Sequence, residues 1–451
     1  PHLRPAVRWI VGEGICQHRL TDEVHPVSDI VFAFDPAIHR PIAAPDAAPA
    51  DFADVVATAA GMSLDQAAAV ATRSKAAALV ICGRLLDPFR ASSAQAALLR
   101  RMILSLAAEG CRTVVIADEQ NACHDLSRML GEPRGLFFVT PLAPLEFEVR
   151  GLAVELVSAH GPTAAGSSPT IAAAASPLHR RIVIGWDNSL WNAERWVADE
   201  PGFGVVAAPK LTSSAAAFAA AATASAAWSH PGTFWIWASR KRQALPPGVH
   251  FLPALQARSP DEASPGSCCT LTLLDRESGD ASVADDALAA PHADWRGTWH
   301  EVPTHRVNWR TVSVESPSGG DEELATAIWA ALEKLPADKD SAAEIVRCSV
   351  ACGTSVARRV RVGEIAAETL ARVRELYDAK TFRIWCRELV AEPTESLAPL
   401  GHARSGSRPG STTSFSSALA DIVTMVEQSQ TLAASEALEA GLLALELIES
   451  V

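Results

Sequence analysis

Two observations on the sequence predict an α/β fold. Short apolar runs typical of buried strands recur in the first part of the chain, at residues 29–34, 76–83 and 111–118. Segments with helical periodicity lie between them, at residues 51–74 and 92–109. Because strands that alternate with helices at this spacing are usually parallel, we expect a sheet with helices covering it.

The two helices carry local start and stop signals. The first is rich in Ala, and Gly61 is expected to break it because Gly is a poor helix former. The second begins after Ser92, whose hydroxyl can cap a helix N-terminus, and ends at Gly110. Further strands are predicted at residues 136–139, 145–157 (with a hairpin turn at 150–151), 182–186, 204–208, 234–237, 249–252 and 269–274, and further helices at 124–130 and 213–228.

A second, smaller unit follows this body. Strands at residues 306–314, 344–349 and 381–389 alternate with helices at 321–335 and 365–377. This pattern predicts a small separate α+β domain. The whole chain then divides into an N-terminal extension (1–28), an α/β body (29–303), a cap domain (304–391), a linker rich in Pro, Gly and Ser (392–412) and C-terminal helices (413–451).

The C-terminal helices carry an apolar stripe. Leu438, Leu442, Leu445 and Ile448 recur at helical spacing, and the residues from Phe415 onward include no Lys or Arg. An isolated helix pair cannot bury such a stripe by itself. It is expected to dock on the body or on a partner protein.

Composition excludes several classes of protein. Apolar residues make up 48% of the 451 residues, which excludes a wholly disordered chain. The net charge of −13 makes a free-standing nucleic-acid binder a poor expectation, although a local basic face could still contact DNA. The nine cysteines include no C-x-x-C pair, so we expect reduced, buried thiols and a cytoplasmic protein. With no apolar run of about 18 residues and no signal peptide, no membrane association is expected.

Polar side chains follow the predicted strands of the body, where α/β sheets bind their ligands. Asp35 follows the first strand, and Arg84 and Asp87 follow the second. The remaining positions of this kind are Glu119, Gln120 and Asn121 after the third strand, and Arg240, Lys241 and Arg242 after the strand at 234–237.

The order of these segments resembles the calcineurin-like metallophosphoesterases, and within them the SbcD-type DNA-repair exonucleases. That family has Asp-x-His, Gly-Asp-x-x-Asp, Gly-Asn-His-Asp, a lone His and Gly-His-x-His. The first three motifs align with FAFDPAIHRPI (32–42), CGRLLDPF (82–89) and TVVIADEQN (113–121). The more specific similarity is VHFLPALQARSP followed by SPGSCCTLTLLD (249–275), and the likeness extends over about residues 30–390.

The resemblance implies a four-layer β-sandwich flanked by helices, followed by a small cap domain and a helical tail. It also implies two Mn or Mg ions that clamp a phosphodiester and generate hydroxide, held by Asp, Asn and His ligands. In the family, the C-terminal helices bind the coiled-coil base of an SbcC-type ATPase. Residues 413–451 would do so in this chain.

The metal-binding motifs are degraded in this chain. Ala37 replaces the first His, Arg84 replaces the Asp that bridges both metals, and Ala238 to Lys241 replace the Gly-His-x-His pair. The lone His falls near Trp186 or Asp187. The positions that correspond to the family's metal site are Asp35, Ala37, Arg84, Asp87, Glu119, Gln120, Asn121, Arg240 and Lys241.

These losses predict a catalytically inactive homologue with no bound metal and no catalytic residue, which acts as a structural or partner-binding subunit. Its expected partners are an SbcC-type ATPase, a second copy of itself, and DNA. The alternative is an active metal-dependent phosphodiesterase or exonuclease that uses Mn or Mg with the substitute ligands Asp35, Asp87, Glu119, Asn121 and Asp187. A third alternative is a structural subunit with no link to nucleic acid.

Two basic clusters are candidates for phosphate or DNA contact. Arg240, Lys241 and Arg242 could contact a phosphate backbone, neutralise Asp35 and Asp87, or form a solvated turn. The second cluster is Arg358, Arg359 and Arg361, whose alternation would place the last two on one face of a strand. Asp35 and Asp87 could equally be turn or cap residues, and His39 is expected to be a surface loop residue.

Overall fold

The structure is a computed structural model, and it describes residues 28–117, 120–158, 179–186, 233–273, 297–315, 321–375 and 384–393, apart from positions 43, 46, 47, 141, 142, 243, 244, 246, 247, 263, 337, 353, 362 and 364. The strands are β1 (Ile30–Phe34), β2 (Ala78–Cys82), β3 (Arg112–Ile116), β4 (Leu136–Val139), β5 (Leu145–Val149), β6 (Leu152–Ser158), β7 (His179–Trp186), β8 (Thr233–Ala238), β9 (Val249–Leu252), β10 (Ser267–Leu273), β11 (Gly297–Pro303), β12 (Val307–Glu315), β13 (Ala343–Cys352) and β14 (Ile384–Pro393). The helices are α1 (Ala50–Arg73), α2 (Ser93–Ala108), α3 (Gln120–Leu130), α4 (Asp321–Glu333), α5 (Thr354–Arg361) and α6 (Ala366–Glu375).

The first sheet of the body has the strand order β11-β10-β1-β2-β3-β4. Strands β1 to β4 are parallel, as their alternation with helices predicts, whereas β10 and β11 extend the sheet in antiparallel pairs. Helices α1, α2 and α3 cover one face of this sheet and share an apolar core with it that includes Leu64, Leu79, Leu99 and Leu126. The predicted α/β class is therefore confirmed.

The second sheet, with the order β5-β6-β7-β8-β9, lies against the other face of the first. Phe32 and Val114 of the first sheet share a buried core with Leu156, Ile184 and Ile236 of the second. The described residues of the body thus form a layer of helices and two layers of sheet. The strand predicted at 204–208 and the helix predicted at 213–228 lie outside the described residues.

Helix α1 is continuous through Gly61, so the predicted break is wrong. One Gly in a helix costs about 1 kcal/mol relative to Ala. The helix buries Phe52, Val56 and Leu64, among other apolar residues, and this burial outweighs the local cost. Helix α2 has the predicted signals, since the Ser92 hydroxyl accepts from the Gln95 amide and the Gln95 side chain caps the Ser92 amide in return.

The cap domain is a three-stranded parallel sheet, β12-β13-β14, with α4, α5 and α6 packed on it. Residues Thr354–Arg361 form helix α5, so the prediction that Arg359 and Arg361 share a strand face is wrong. The apolar residues in this segment are Val356, Ala357 and Val360, which follow helical spacing and contribute to the core of the domain. The alternation of arginines is a weaker signal than this apolar periodicity.

The contacts that join the cap domain to the body include an apolar contact with α1 and a buried glutamine. Phe52 and Val56 of α1 pack with Val307, Ile345 and Trp385 of the cap sheet. The loop between β9 and β10 contributes a buried glutamine, Gln256, whose amide is hydrogen-bonded to the first residues of the cap domain. The body and the cap domain therefore share an apolar contact and a buried polar contact.

Several predicted segments lie outside the described residues. These are residues 1–27 of the N-terminal extension, the linker beyond residue 393, and the C-terminal helices at 413–451. The eight cysteines that the structure describes are all buried and free, in agreement with the prediction of reduced thiols. Among the described helices, none has both the length and the apolar character that a membrane span requires.

Candidate functional site

The site lies where β1, β2 and β8 end, which brings together three of the polar segments that the sequence singles out. The loop after β1 runs beside the loop after β2. The amides of Asp35, Ala37 and Ile38 donate to the carbonyl oxygens of Cys82, Arg84 and Leu85 at 2.9, 2.7 and 3.1 Å. These backbone bonds place Asp35 and Arg84 side by side.

The local backbone is unusual at three positions of these loops. Asp35 and Ala37 have φ angles of 47° and 41°, in the left-handed region that non-glycine residues seldom adopt. Gly83 has a φ angle of 77°, and a Cβ atom there would lie 2.9 Å from the Phe34 ring. Glycine is therefore required at this position, because the chain must turn sharply against Phe34 to aim Arg84 at Asp35.

Asp35 is the centre of the site, and two arginines donate hydrogen bonds to its carboxylate. Arg84 donates from Nε to Oδ1 at 3.0 Å and from Nη2 to Oδ2 at 2.9 Å. Arg240 donates from Nε to Oδ2 at 2.8 Å. Asp35 is 4% exposed and Arg240 is 7% exposed, so this is a buried ion pair with geometry that suits guanidinium and carboxylate.

A second carboxylate, Glu262, joins Asp35, Arg84 and Arg240 in one group of charged side chains, the Asp35 network. Glu262 was not among the residues predicted from the sequence. Arg240 Nη1 donates to both oxygens of Glu262 at 2.8 Å. Glu262 Oε1 also accepts from the Arg258 amide at 2.9 Å. Glu262 lies in the loop that carries the QARSP segment, and neither the strand pattern nor the resemblance marks it. Only the fold brings it to Arg240.

Arg258 is a third arginine of the site, and it holds the loop after β1 in place. Its guanidinium donates to the carbonyl oxygens of Arg40, Pro36 and Ala37 at 2.5, 3.3 and 3.0 Å. Burial, with Arg240, Arg84 and Arg40 nearby, lowers the pKa of Arg258 to about 10. It remains charged at neutral pH, so the site contains several positive groups.

The electrostatics of Asp35 follow from these contacts. Burial by itself would raise the pKa of Asp35, but Arg240 and Arg84 hold it well below its usual range. Burial by itself would lower the pKa of Arg240, and Asp35 and Glu262 raise it instead. Both partners are therefore fully ionised at neutral pH, and the negative charge of Asp35 is neutralised within the protein.

Asp87 lies apart from this network and acts as a turn residue. Its Oδ1 accepts from the Phe89 amide at 2.9 Å, and its carboxylate pairs with Arg90 at 3.7 Å. Its own amide donates to His39 Nδ1 at 3.1 Å. His39 is therefore a half-buried acceptor rather than the surface residue predicted. Burial first, and then Arg84, Arg258 and Arg40, lower the pKa of His39 to about 4, so it is neutral at neutral pH.

The remaining predicted positions are dispersed. Ala37 is buried, whereas Lys241 and Arg242 are exposed. Gln120 and Asn121 lie in the first turn of α3, and Arg358, Arg359 and Arg361 lie on α5 of the cap domain; of these, only the Arg359 side chain is described, and it is half-buried. Glu119 and Asp187 lie outside the described residues.

What this site can do chemically is limited because the Asp35 carboxylate is already hydrogen-bonded to two arginines. A metal ion at Asp35 would have to displace guanidinium groups from both carboxylate oxygens. Within the part of the chain that the structure describes, no three His, Cys, Asp or Glu side chains are grouped as metal ligands would be. The arrangement is suited to holding the three loops together by charge.

Comparison of the chain with protein-family models gives no match, and comparison with curated protein sequences gives none.

Proposed function

We propose that this chain is a catalytically inactive homologue of the SbcD-type metallophosphoesterases that acts as a structural or partner-binding subunit in the cytoplasm. One observation carries this proposal, namely that the Asp35 carboxylate is paired with Arg84 and Arg240. In the family that the sequence resembles, the positions of Asp35 and Arg84 both hold metal. Here the pair forms an internal ion bridge instead.

The size of the repulsion between a metal dication and the arginines beside Asp35 supports the absence of metal-dependent catalysis. At 4 Å and an effective dielectric constant near 20, a dication and a guanidinium repel each other by on the order of 8 kcal/mol. A dication beside Asp35 would meet Arg84 and Arg240 together. To bind the carboxylate it would also have to compete with the hydrogen bonds that the two arginines donate to both oxygens. The two packed sheets, the helical layer and the following small parallel-sheet domain support the family-level fold that we propose.

Metal titration tests this proposal. We expect no binding of Mn²⁺ or Mg²⁺ below millimolar concentration by titration calorimetry, and no hydrolysis of a nitrophenyl phosphodiester or of DNA with any divalent metal. The double variant Arg84→Asp with Ala37→His is expected to regain partial Mn²⁺ binding without activity, because the histidines of the last motif are still missing.

The control for this experiment is Arg101→Asp, which introduces the same charge change on an exposed side chain of α2, away from the candidate metal-site positions. It should not change metal affinity. Two tight Mn²⁺ sites in the unaltered chain would contradict the proposal. Hydrolysis that disappears in Glu119→Ala would instead support the alternative of an active enzyme with substitute ligands.

We propose that the partner is an SbcC-type coiled-coil ATPase, bound through residues 413–451. The apolar stripe of Leu438, Leu442, Leu445 and Ile448 supports this proposal, since a coiled coil accepts anchors at this spacing in a groove. A second copy of the chain and DNA are further partners within the same proposal. DNA would be contacted through the exposed Lys241 and Arg242.

Deletion of residues 413–451 is expected to abolish binding to the ATPase while leaving the melting temperature of the remaining protein nearly unchanged. The measurements are co-purification of the two proteins and thermal unfolding of the truncated chain. A variant with Leu438 and Leu445 replaced by Ser is the matched control, because it removes the stripe without shortening the chain. A large fall in melting temperature on deletion would show that the helices belong to the body's own core.

A further inference from the structure

A buried histidine, His305, lies at the junction between the body and the cap domain. It stands between the end of β11 at Pro303 and the start of β12 at Val307, and it is 6% exposed. Its ring Nδ1 is 3.1 Å from the Gly266 carbonyl oxygen of the body. Its Nε2 is 2.9 Å from Asp338 Oδ2 of the cap domain. The imidazole therefore bridges the two parts of the chain.

Both ring nitrogens face groups that can only accept hydrogen bonds. A carbonyl oxygen has no proton to donate, and an ionised carboxylate has none either. A neutral imidazole carries a single N–H group and can satisfy only one of these contacts. The other nitrogen would then point its lone pair at an oxygen atom. The doubly protonated ring is the one form that donates to both.

We propose that His305 is a proton-dependent latch, which fastens the cap domain to the body when its ring carries both protons and loosens that junction when one is lost. The fastened state binds one proton more than the loosened state. By linkage, rising pH favours loosening and falling pH favours fastening.

The surroundings hold the two acceptors in place. Gly266 has a φ angle of 134°, and a Cβ atom there would collide with the Leu255 carbonyl oxygen, so this backbone has little room to move. On the cap side, Asn308 Nδ2 donates to Asp338 Oδ2 at 2.7 Å. Asp338 Oδ1 accepts from the Asp340 amide at 2.9 Å. Neither acceptor can turn away when the ring loses a proton.

The neighbouring charged groups Arg310, Glu344 and Glu301 have partners of their own. On the cap side, Arg310 pairs with Glu344 at 3.0 Å, and Glu344 Oε1 accepts from the Asp338 amide. On the body side, Glu301 accepts from the Ser267 hydroxyl at 2.6 Å. Burial by itself would raise the pKa of Asp338, but His305, the Asp340 amide and Arg310 lower it, so Asp338 is ionised when it faces the ring.

Hydrogen exchange of the full chain tests the latch. The amides of Arg306 and Val307 report opening of the junction, because both donate to the buried Gln256 side chain. After correction for intrinsic exchange rates, we expect their protection to fall about tenfold between pH 6 and pH 8.5. The variant His305→Gln, which has no proton to lose, should show no such fall.

A control variant and an NMR measurement complete the test. The control His300→Gln replaces an exposed histidine of β11 and should keep the wild-type pH dependence. In nitrogen NMR spectra of the ring, both nitrogens of His305 should be protonated at pH 6, and Asp338→Asn should weaken this double protonation. Should His305→Gln fail to fold, this spectrum decides alone. A single neutral tautomer at pH 6, or equal pH dependence in the wild type and His305→Gln, would overturn the proposal.

Discussion

Replacement of Arg240 by Met is expected to lower the free energy of unfolding by about 4 kcal/mol. Arg240 is buried and pairs with Asp35 and with both oxygens of Glu262. Methionine fills a similar volume but leaves the buried Asp35 and the half-buried Glu262 with one partner fewer. Because breaking a buried ion pair from one side leaves an uncompensated charge, the loss exceeds what the pair itself contributes.

The measurement is urea unfolding at pH 7, with Lys241→Met as the matched control. Lys241 is the next residue but is exposed, so its replacement should change the free energy of unfolding by less than about 0.5 kcal/mol. The folded-state pKa of Asp35 is below its ordinary value of 3.8. Its contribution is therefore present above about pH 4 and is lost as the pH falls further. Equal effects of the two substitutions would show that the Asp35 network does not stabilise the fold.

Replacement of Gln256 by Leu is expected to lower the free energy of unfolding by about 3 kcal/mol and to loosen the cap domain. Gln256 is 1% exposed. Its Nε2 donates to the Val307 carbonyl oxygen at 2.7 Å, and its Oε1 accepts from the amides of Arg306 and Val307 at 2.7 and 3.1 Å. Leucine would leave these backbone groups buried and unpaired, which costs more than the bonds contribute when made.

The variant Gln256→Glu keeps the acceptor and replaces the donor by a charge. A carboxylate still accepts from the two amides but cannot donate to the Val307 carbonyl oxygen, and it is buried without a cationic partner among the residues that the structure describes. We expect its loss of stability at pH 7 to be at least as large as that of Gln256→Leu, when both variants are measured by calorimetry and urea unfolding. In Gln256→Leu the cap domain should also unfold in a separate, earlier transition. A single transition at the wild-type temperature would show that Gln256 is not needed to join the two parts.

Local signals predicted most elements of the fold. Apolar runs predicted β1, β2 and β3, and the Ser92 cap predicted the start of α2, because these depend on periodicity and on neighbouring residues. Local signals failed where packing outweighed them. Helix α1 passes through Gly61 because its buried face holds it, and α5 is a helix because Val356, Ala357 and Val360 face the cap core.

The candidate site was predicted only in outline. Asp35, Arg84 and Arg240 were identified as residues that follow strands. Asp35 and Arg84 meet because β1 and β2 are parallel neighbours whose carboxyl ends share one edge, whereas Arg240 reaches Asp35 from the end of β8 in the second sheet, which packs against the first. Glu262 and Arg258 were not identified as members of the network, because they reach Arg240 and the Asp35 loop from a distant segment. Asp87 was identified with Asp35, yet it bonds to its own turn.

The sequence by itself determined the α/β class, the order of elements and the absence of the histidines that a dimetal site would need at these positions. These properties depend on residue type and local periodicity, which can be read without coordinates. Only the tertiary structure decided that Arg84 turns inward onto Asp35 and that Glu262 completes the network. Whether a charge is buried and paired depends on which distant backbone segments meet around it. The sequence pattern does not show which of these segments lie close together in space.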